Sequence, residues 1–257
     1  MIVKLLQGLL IGIAFILPGL SAGTVILIFG FYRQFLDDIA VLRLKKYWPM
    51  IAGAAVAALA GVYTIGYLLE HFDKPLMAFL FGMLLASVTA VVDIRRGMRI
   101  QPLPLLFAAA GFALVWFVVC EPTNTFTVLP PGGLLHFFIG GTLSSATMLL
   151  PGVSGSAVLI IINLYDEAIY AISNWQWLRI SALGAGFIFG LLGLARLLSA
   201  LYRRYQSEVS YLLAGLILGS TRALLPASFN LTFIVLAICG SLLVLYITNR
   251  LRLRVFR

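Results

Sequence analysis

Charge is what this sequence has least of. Lys, Arg, Asp and Glu make up 11% of its 257 residues, where soluble domains carry about a quarter. Hydrophobic residues make up 62%, and mean hydropathy is +1.06. A soluble fold cannot hide that much apolar surface, so lipid must be the solvent for most of the chain. Cysteine and histidine are also scarce, two of each. Cys120 ends one apolar run and Cys239 lies inside another. They read as unpaired thiols, and no spacing suits a structural metal. Acids are half as common as bases, nine against eighteen, for a net charge of +9. The basic residues sit in short clusters between apolar runs. That pattern excludes nucleic acid and suits loops facing an anionic cytoplasmic leaflet.

What is present is a series of long apolar runs. Six are long enough for a hydrocarbon core of roughly 30 Å, which takes about 20 helical residues. They cover 48–70, 75–93, 103–120, 178–201, 209–226 and 231–248. Two further runs, 5–31 and 134–164, are interrupted, by ILPGLSAGT at 16–24 and LLPGVSGSA at 149–157. Lys4 and the apolar residues after it resemble a signal peptide, but the run continues to Phe31 and its pattern recurs at 141–165.

The two interruptions are copies. Shifting the chain by 133 positions lays Gly8 on Gly141, Pro18 on Pro151, Gly19 on Gly152, Ser21 on Ser154 and Tyr32 on Tyr165. The same shift carries Gly53 onto Gly186, Gly82 onto Gly215 and Ser87 onto Ser220. One constant offset across three segments marks an internal repeat. Unit 1 occupies 1–120 and unit 2 occupies 134–248, each one broken segment followed by three helices. Only the last helix slips, because the loop before it is shorter in the second half.

Charge decides whether the broken segments cross or return. If both return and the chain starts inside, the inner loops are 32–47, 94–102, 202–208 and the C-terminus. They hold Arg33, Arg43, Lys45, Lys46, Arg95, Arg96, Arg99, Arg203, Arg204, Arg250, Arg252, Arg254 and Arg257. The outer loops hold Lys74 alone. Thirteen against one obeys the positive-inside rule, and crossing segments would scatter it. Residues 5–17 as a helix reach about 20 Å, too short to cross. The expected fold is an all-α polytopic membrane domain, an inverted repeat of two re-entrant hairpins and six helices, with both termini cytoplasmic. Non-helical backbone at membrane depth needs protein or water around it, so the tips should meet near the midplane, where secondary transporters bind substrate.

The chemistry of the tips follows from their residues. Pro18 and Pro151 remove a backbone donor and end the first limb; Gly19 and Gly152 allow the reversal. The following limbs begin near Ser21 and Ser154 with unpaired N–H groups at a positive helix end, which suits an anion. Hydroxyls of Ser21, Thr24, Ser154 and Ser156 add donors, and Ala22, Gly23 and Gly155 leave room for a ligand. The plainer reading is that small residues merely let helices kink and pack. Arg196 and Arg222, within or near the ends of apolar runs, are candidates to offset a bound anion, or else snorkel to the interface. Tyr32, Asn163 and Tyr165 end the returning limbs and are candidates to line a cavity. Trp48, Trp175 and Trp177 read as interface anchors, and His71 and His136 as outer interfacial residues.

ILPGLSAGT with Gly30-Phe31-Tyr32, and LLPGVSGSA with Asn163-Leu164-Tyr165, resemble the bacterial polyprenyl-phosphate transporter family, the undecaprenyl-phosphate translocases. The resemblance covers nearly the whole chain. It implies a bacterial inner-membrane flippase that returns undecaprenyl phosphate to the inner leaflet for cell-wall precursor recycling. Its expected partners are a polyprenyl phosphate and membrane lipid; a homodimer is compatible with the sequence. No cofactor is expected beyond coupling to protons or sodium ions, which would offset the cost of moving an anion inward. Where the family usually has an acid three residues before the first proline, this chain has Phe15. The hairpins also resemble, more weakly, undecaprenyl-diphosphate phosphatase. However, no Asp, Glu or His lies within ten residues of Pro18 or Pro151, so phosphatase chemistry lacks its base and its metal ligands. The chain is therefore not expected to be an enzyme. Transport of a small soluble anion is the remaining alternative.

Overall fold

The computed structural model describes residues 2–17, 20–92, 102–119, 133–226 and 229–255. Among these residues the regular structure is entirely helical. Helix α1 (Ile2–Ile16) is followed by the short α2 (Ala22–Ile28) and α3 (Tyr32–Ala40). A 3-10 turn, Leu44–Tyr47, leads into α4 (Trp48–Val91), which carries a proline in its first turn where no donor is missed. Helix α5 (Pro102–Ala113) continues as a π turn, Leu114–Val119. The second half repeats the order with α6 (Leu134–Leu149), α7 (Gly155–Ile161), α8 (Tyr165–Ser173), α9 (Trp177–Arg204) and α10 (Gln206–Ser220). After the 3-10 turn Thr221–Leu224 comes α11 (Leu231–Val255).

The spacing of 133 recurs in the backbone. α2 and α7 are offset by it at both ends, and so are α3 and α8. The left-handed residues Gly30 (φ 77°) and Asn163 (φ 55°) differ by it, as do Leu42 (φ 59°) and Trp175 (φ 53°). Helix α4 breaks at Phe72 (φ −131°, ψ 31°), three residues before Pro75. The residue 133 further on is Tyr205 (φ −130°, ψ 55°), which separates α9 from α10. In the first half Pro75 withholds a donor from the preceding turn.

Close packing also pairs up. Gly8 faces the Met50 carbonyl as Gly141 faces that of Leu183, and Gly53 faces the Leu5 carbonyl as Gly186 faces that of Phe138. The last helix of each half packs on the other half. Gly82 of α4 abuts the Ala237 carbonyl of α11, and Gly215 of α10 abuts the Ala108 carbonyl of α5. Glycines at these points let backbones approach closely, which is how helices associate in lipid.

Six unbroken spans were expected, and the described residues show part of that set. Among the described residues three helices are long and apolar enough to cross: Glu70–Val91, Trp177–Arg204 and Leu231–Arg250. The pair α7 and α8, bent by 106°, makes a fourth if counted as one span. The 48–70 and 75–93 runs lie on either side of the Phe72 break, as two helical stretches within α4. The 209–226 run ends as α-helix at Ser220, because the chain tightens into a 3-10 turn and then meets Pro226. Its 15 residues reach only about 22 Å.

Candidate functional site

The second broken segment doubles back on itself. Gly155, opening α7, lies against Ser144 and Met148 of α6; a Cβ there would stand 2.7 Å from the Ser144 carbonyl oxygen. Further back, Leu159 and Leu164 meet Gly140, and the Ile162 carbonyl lies 3.1 Å from His136 Nε2. His136 is therefore buried under α7, 3% exposed, which corrects the interfacial placement. Helix α2 likewise packs on α1.

The two breaks touch. Ser21 caps α2: its Oγ accepts the Thr24 N–H at 3.2 Å and lies 3.0 Å from Thr24 Oγ1. Both hydroxyls then reach across to the second break. The Gly152 N–H points at Ser21 Oγ and Thr24 Oγ1, each at 3.1 Å, and Ser21 Oγ donates to the Leu150 carbonyl at 3.2 Å. The Tyr32 hydroxyl donates to the Leu149 carbonyl at 2.7 Å. Breaking α6 exposes backbone groups that helix would have satisfied. The first half supplies their partners.

Gly152 is fixed twice over. Its φ of 85° is a conformation L side chains rarely adopt. A Cβ there would also stand 2.8 Å from Ser220 Oγ and 2.9 Å from the Leu216 carbonyl oxygen. The chain can therefore reverse against α10 only without a side chain.

The two tips are not equivalent. Every residue of α2 is buried, including Ala22, Gly23 and Thr24. Ser21 Oγ has one donor and two acceptor sites, and its contacts to Thr24, Leu150 and Gly152 occupy them. In the second tip Gly155 is buried, but Ser154 and Ser156 are exposed. Their hydroxyls lie 2.7 Å apart, and no cap bond ties Ser154 to α7. Of the four hydroxyls singled out in the sequence, two clamp the tips together and two stand open side by side.

The remaining candidates fall in several places. Pro18 and Gly19 lie outside the described residues; Pro151 is buried in the turn. Tyr32 is 5% exposed and its hydroxyl serves the clamp. Asn163 is an exposed turn residue and Tyr165 is 38% exposed. Arg196 is not at the tips; its Nε donates to the Ala40 carbonyl at the end of α3, at 3.1 Å. The Arg222 guanidinium donates to the Trp116 carbonyl and lies over the Trp116 ring. Trp116 belongs to the π turn, on which α7 also packs.

Sequence reasoning missed the charged cluster on α3. Asp37 accepts from Ser199 Oγ and pairs with Arg203 at 3.3 Å. Asp38 pairs with Lys46 and accepts from the Tyr47 hydroxyl at 2.8 Å. The signal was available, since adjacent acids in a short amphipathic helix beside basic loops invite pairing. A separate cleft of about 550 Å³ between the α4 kink, 223–226 and the start of α11 is lined by both Asp73 and Lys74. Their opposite charges give it no bias toward an anion.

Residues 11–238 match the VCA0040-like family, described as undecaprenyl phosphate translocase-like. The chain is 30% identical over 241 residues to a polyprenyl-phosphate transporter of Vibrio cholerae, covering 86% of this chain and 76% of that one. It is 25% identical over 243 residues to a polyprenyl-phosphate transporter of Staphylococcus aureus, covering 87% and 86%. No solved structure matches it. The chain belongs to the undecaprenyl phosphate translocase-like family, and its curated relatives are named as transporters rather than enzymes.

Proposed function

From membership of that family, we propose that this chain carries a polyprenyl phosphate, undecaprenyl phosphate or a close relative, across the bacterial cytoplasmic membrane. The direction is from outer to inner leaflet, which returns the carrier for cell-wall precursor synthesis. Both termini lie in the cytoplasm, and the two halves are inverted copies whose hairpins enter from opposite faces. The observation that carries the proposal is the pair of broken apolar hairpins meeting at Ser21, Thr24 and Gly152, with the Ser154 and Ser156 hydroxyls open beside them.

The phosphate is held at the second tip. Ser154 and Ser156 replace part of its hydration, and the first N–H groups of α7 add positive potential. Glycines 152 and 155 let the headgroup approach the backbone. Ser21, Ala22, Gly23 and Thr24 form the rigid floor in this state and face the headgroup as the tips separate. Arg222, anchored on Trp116 beside α7, offsets the charge. The prenyl tail stays in lipid and passes through a lateral gap while the halves rock in alternating access.

Inward movement runs against the membrane potential. Each negative charge costs about 2.3 kcal/mol per 100 mV, and a phosphate monoester carries roughly −1.5 to −2. Entry of one proton or sodium ion alongside offsets part of that opposition, and two such charges per phosphate remove it. In proteoliposomes without ion gradients, an inside-negative potential should not slow uptake if two or more cations enter per phosphate; slower uptake would refute coupling at that ratio.

The decisive test compares binding of undecaprenyl phosphate with undecaprenol. Affinity should drop by at least about tenfold without the phosphate, the effect of losing one charge-assisted hydrogen-bonded group. Equal affinity would refute an anion site at the tips. Release of inorganic phosphate from undecaprenyl diphosphate by purified protein would favour a phosphatase instead.

A further inference from the structure

The short helices of the two halves, α2 with α7 and α3 with α8, share their boundaries but differ in packing. Helix α3 is closed onto α9, in the other half. Asp37 of α3 accepts from Ser199 and Arg203, Arg196 Nε reaches the Ala40 carbonyl, and the Tyr32 and Tyr202 rings meet edge on. Helix α8 occupies the corresponding place in the second half and is open. Leu36 of α3 is 0% exposed where Ile169 of α8 is 50%; Ile39 is 2% exposed where Ile172 is 51%. The same residue positions are core in one half and surface in the other.

We infer that the structure is one of two alternative states, and that Asp37, Ser199, Arg203 and Arg196 are the latch that holds it. The inference rests on the alternating-access reading above. In the other state α3 leaves α9, and α8 closes onto the first part of α4, burying Ile169 and Ile172. The latched face carries Arg43, Lys45, Lys46 and the end of α9, the face assigned to the cytoplasm. The present state is therefore shut toward the cytoplasm.

The latch is one-sided. Shifted by 133, Asp37 becomes Tyr170 and Ala40 becomes Ser173; Arg196, Ser199 and Arg203 correspond to Tyr63, Gly66 and Glu70. No ion pair can form between those positions. Apolar burial on the two faces is similar in kind, since Leu36 and Ile39 are replaced by Ile169 and Ile172. The charged contacts thus bias the resting protein toward the state shut inside. That state leaves the outer side available to a lipid arriving there. Two states must differ in specific contacts for a device to switch between them, and these contacts supply the difference.

The test reads conformation without any transported lipid. In a background with Cys120→Ser and Cys239→Ser, the pair Tyr63→Cys and Ser173→Cys reports the second state, because it corresponds to Arg196 and Ala40. A short bifunctional thiol reagent should cross-link this pair weakly in the latched protein. Asp37→Asn should raise the yield up to about fivefold, the limit for an exposed ion pair. The charge swap Asp37→Arg with Arg203→Asp should return it toward the starting value, which separates latching from misfolding. An unchanged yield in Asp37→Asn, or a yield the charge swap does not lower, overturns the latch. Cross-links that switch as expected in protein that neither binds nor moves polyprenyl phosphate would leave the latch standing and refute the substrate.

Discussion

The division of hydroxyls into clamp and open pair can be tested by removing them in order. Ser21→Ala loses the α2 cap, the bond to the Leu150 carbonyl and one of the two acceptors facing the Gly152 N–H. Hydrogen bonds between helices in lipid average about 0.6 kcal/mol, and a lost cap costs about 1 kcal/mol. Together these give about 2 kcal/mol. Thr24→Val keeps the shape of a fully buried side chain and removes one acceptor, costing about 0.6 kcal/mol. In either variant the Gly152 N–H keeps one partner. In the double variant it has neither, and an orphaned donor in this part-buried turn costs a further ~1 kcal/mol, the lower end for a buried group. The double variant should thus be less stable than the sum of the singles by at least about 1 kcal/mol. Ser154→Ala and Ser156→Ala remove exposed hydroxyls and should stay within about 0.5 kcal/mol of the parent, yet weaken undecaprenyl phosphate binding. The assay is denaturant unfolding in detergent micelles, with lipid-phosphate binding measured on the same samples. Additive losses in the double variant would refute the shared-acceptor geometry. Loss of stability without loss of binding at Ser154 and Ser156 would refute the assignment of the open pair.

Three further perturbations bear on the fold around the tips. Tyr32→Phe removes only the hydroxyl bonded to the Leu149 carbonyl; it should cost about 1 kcal/mol by thermal unfolding and lower transport. Ala at Gly82 or Gly215 pushes α11 off α4 or α5 off α10 and should destabilise by about 1–3 kcal/mol. Ala at Gly184, which has open space around its Cβ position, should be neutral or gain up to about 1 kcal/mol from helix propensity; equal effects at the three sites would refute the close crossings. At Asp38, burial alone would raise the carboxyl pKa. The hydrogen bonds from Lys46 and Tyr47 and the Lys46 and Arg43 charges outweigh it and hold the group below the ordinary 3.8. A lowered folded value means the contribution is complete at neutral pH and fades as pH falls through that value. Melting temperature should accordingly drop on acidification below about pH 4, and less steeply in Asp38→Asn.

What could be read from the residues alone was order and spacing. Proline and glycine fix local backbone chemistry, so the breaks at 16–24 and 149–157 appear as helix ends with Ser21 and Ser154 in the cap positions. The offset of 133 predicts paired turns, and Gly30 and Asn163 adopt them although one is not glycine; Asn tolerates that conformation better than most residues. Span number was less legible. Hydropathy places a break where Phe72 interrupts α4, but it cannot see that Thr221 starts a tighter turn. The exchange of α5 and α11 between halves was invisible, because both pair through glycines whose partners are backbone carbonyls. A carbonyl leaves no mark in a side-chain pattern.

The roles within the site were hidden for a related reason. Ser21 and Ser154 stand at equivalent positions and read alike, but hydrogen-bond capacity is finite. A hydroxyl engaged with Gly152 and Leu150 has nothing left for a ligand, while its counterpart beside Ser156 has. Ser21 meets Thr24 three residues on, where Ser154 is followed three residues later by Ala157. That single difference gives the first tip two inward hydroxyls and the second none at the corresponding place. Likewise Arg196 could be a ligand or a strut on composition alone, and the partner at Ala40 makes it a strut in this state. A symmetric scaffold thus carries an asymmetric set of polar side chains. One tip holds, the other is open, and the Asp37–Arg203 pair has no counterpart at the equivalent positions Tyr170 and Glu70. Under the proposed alternation such a difference sets which state the resting protein prefers, because identical halves would leave that equilibrium without a preferred side.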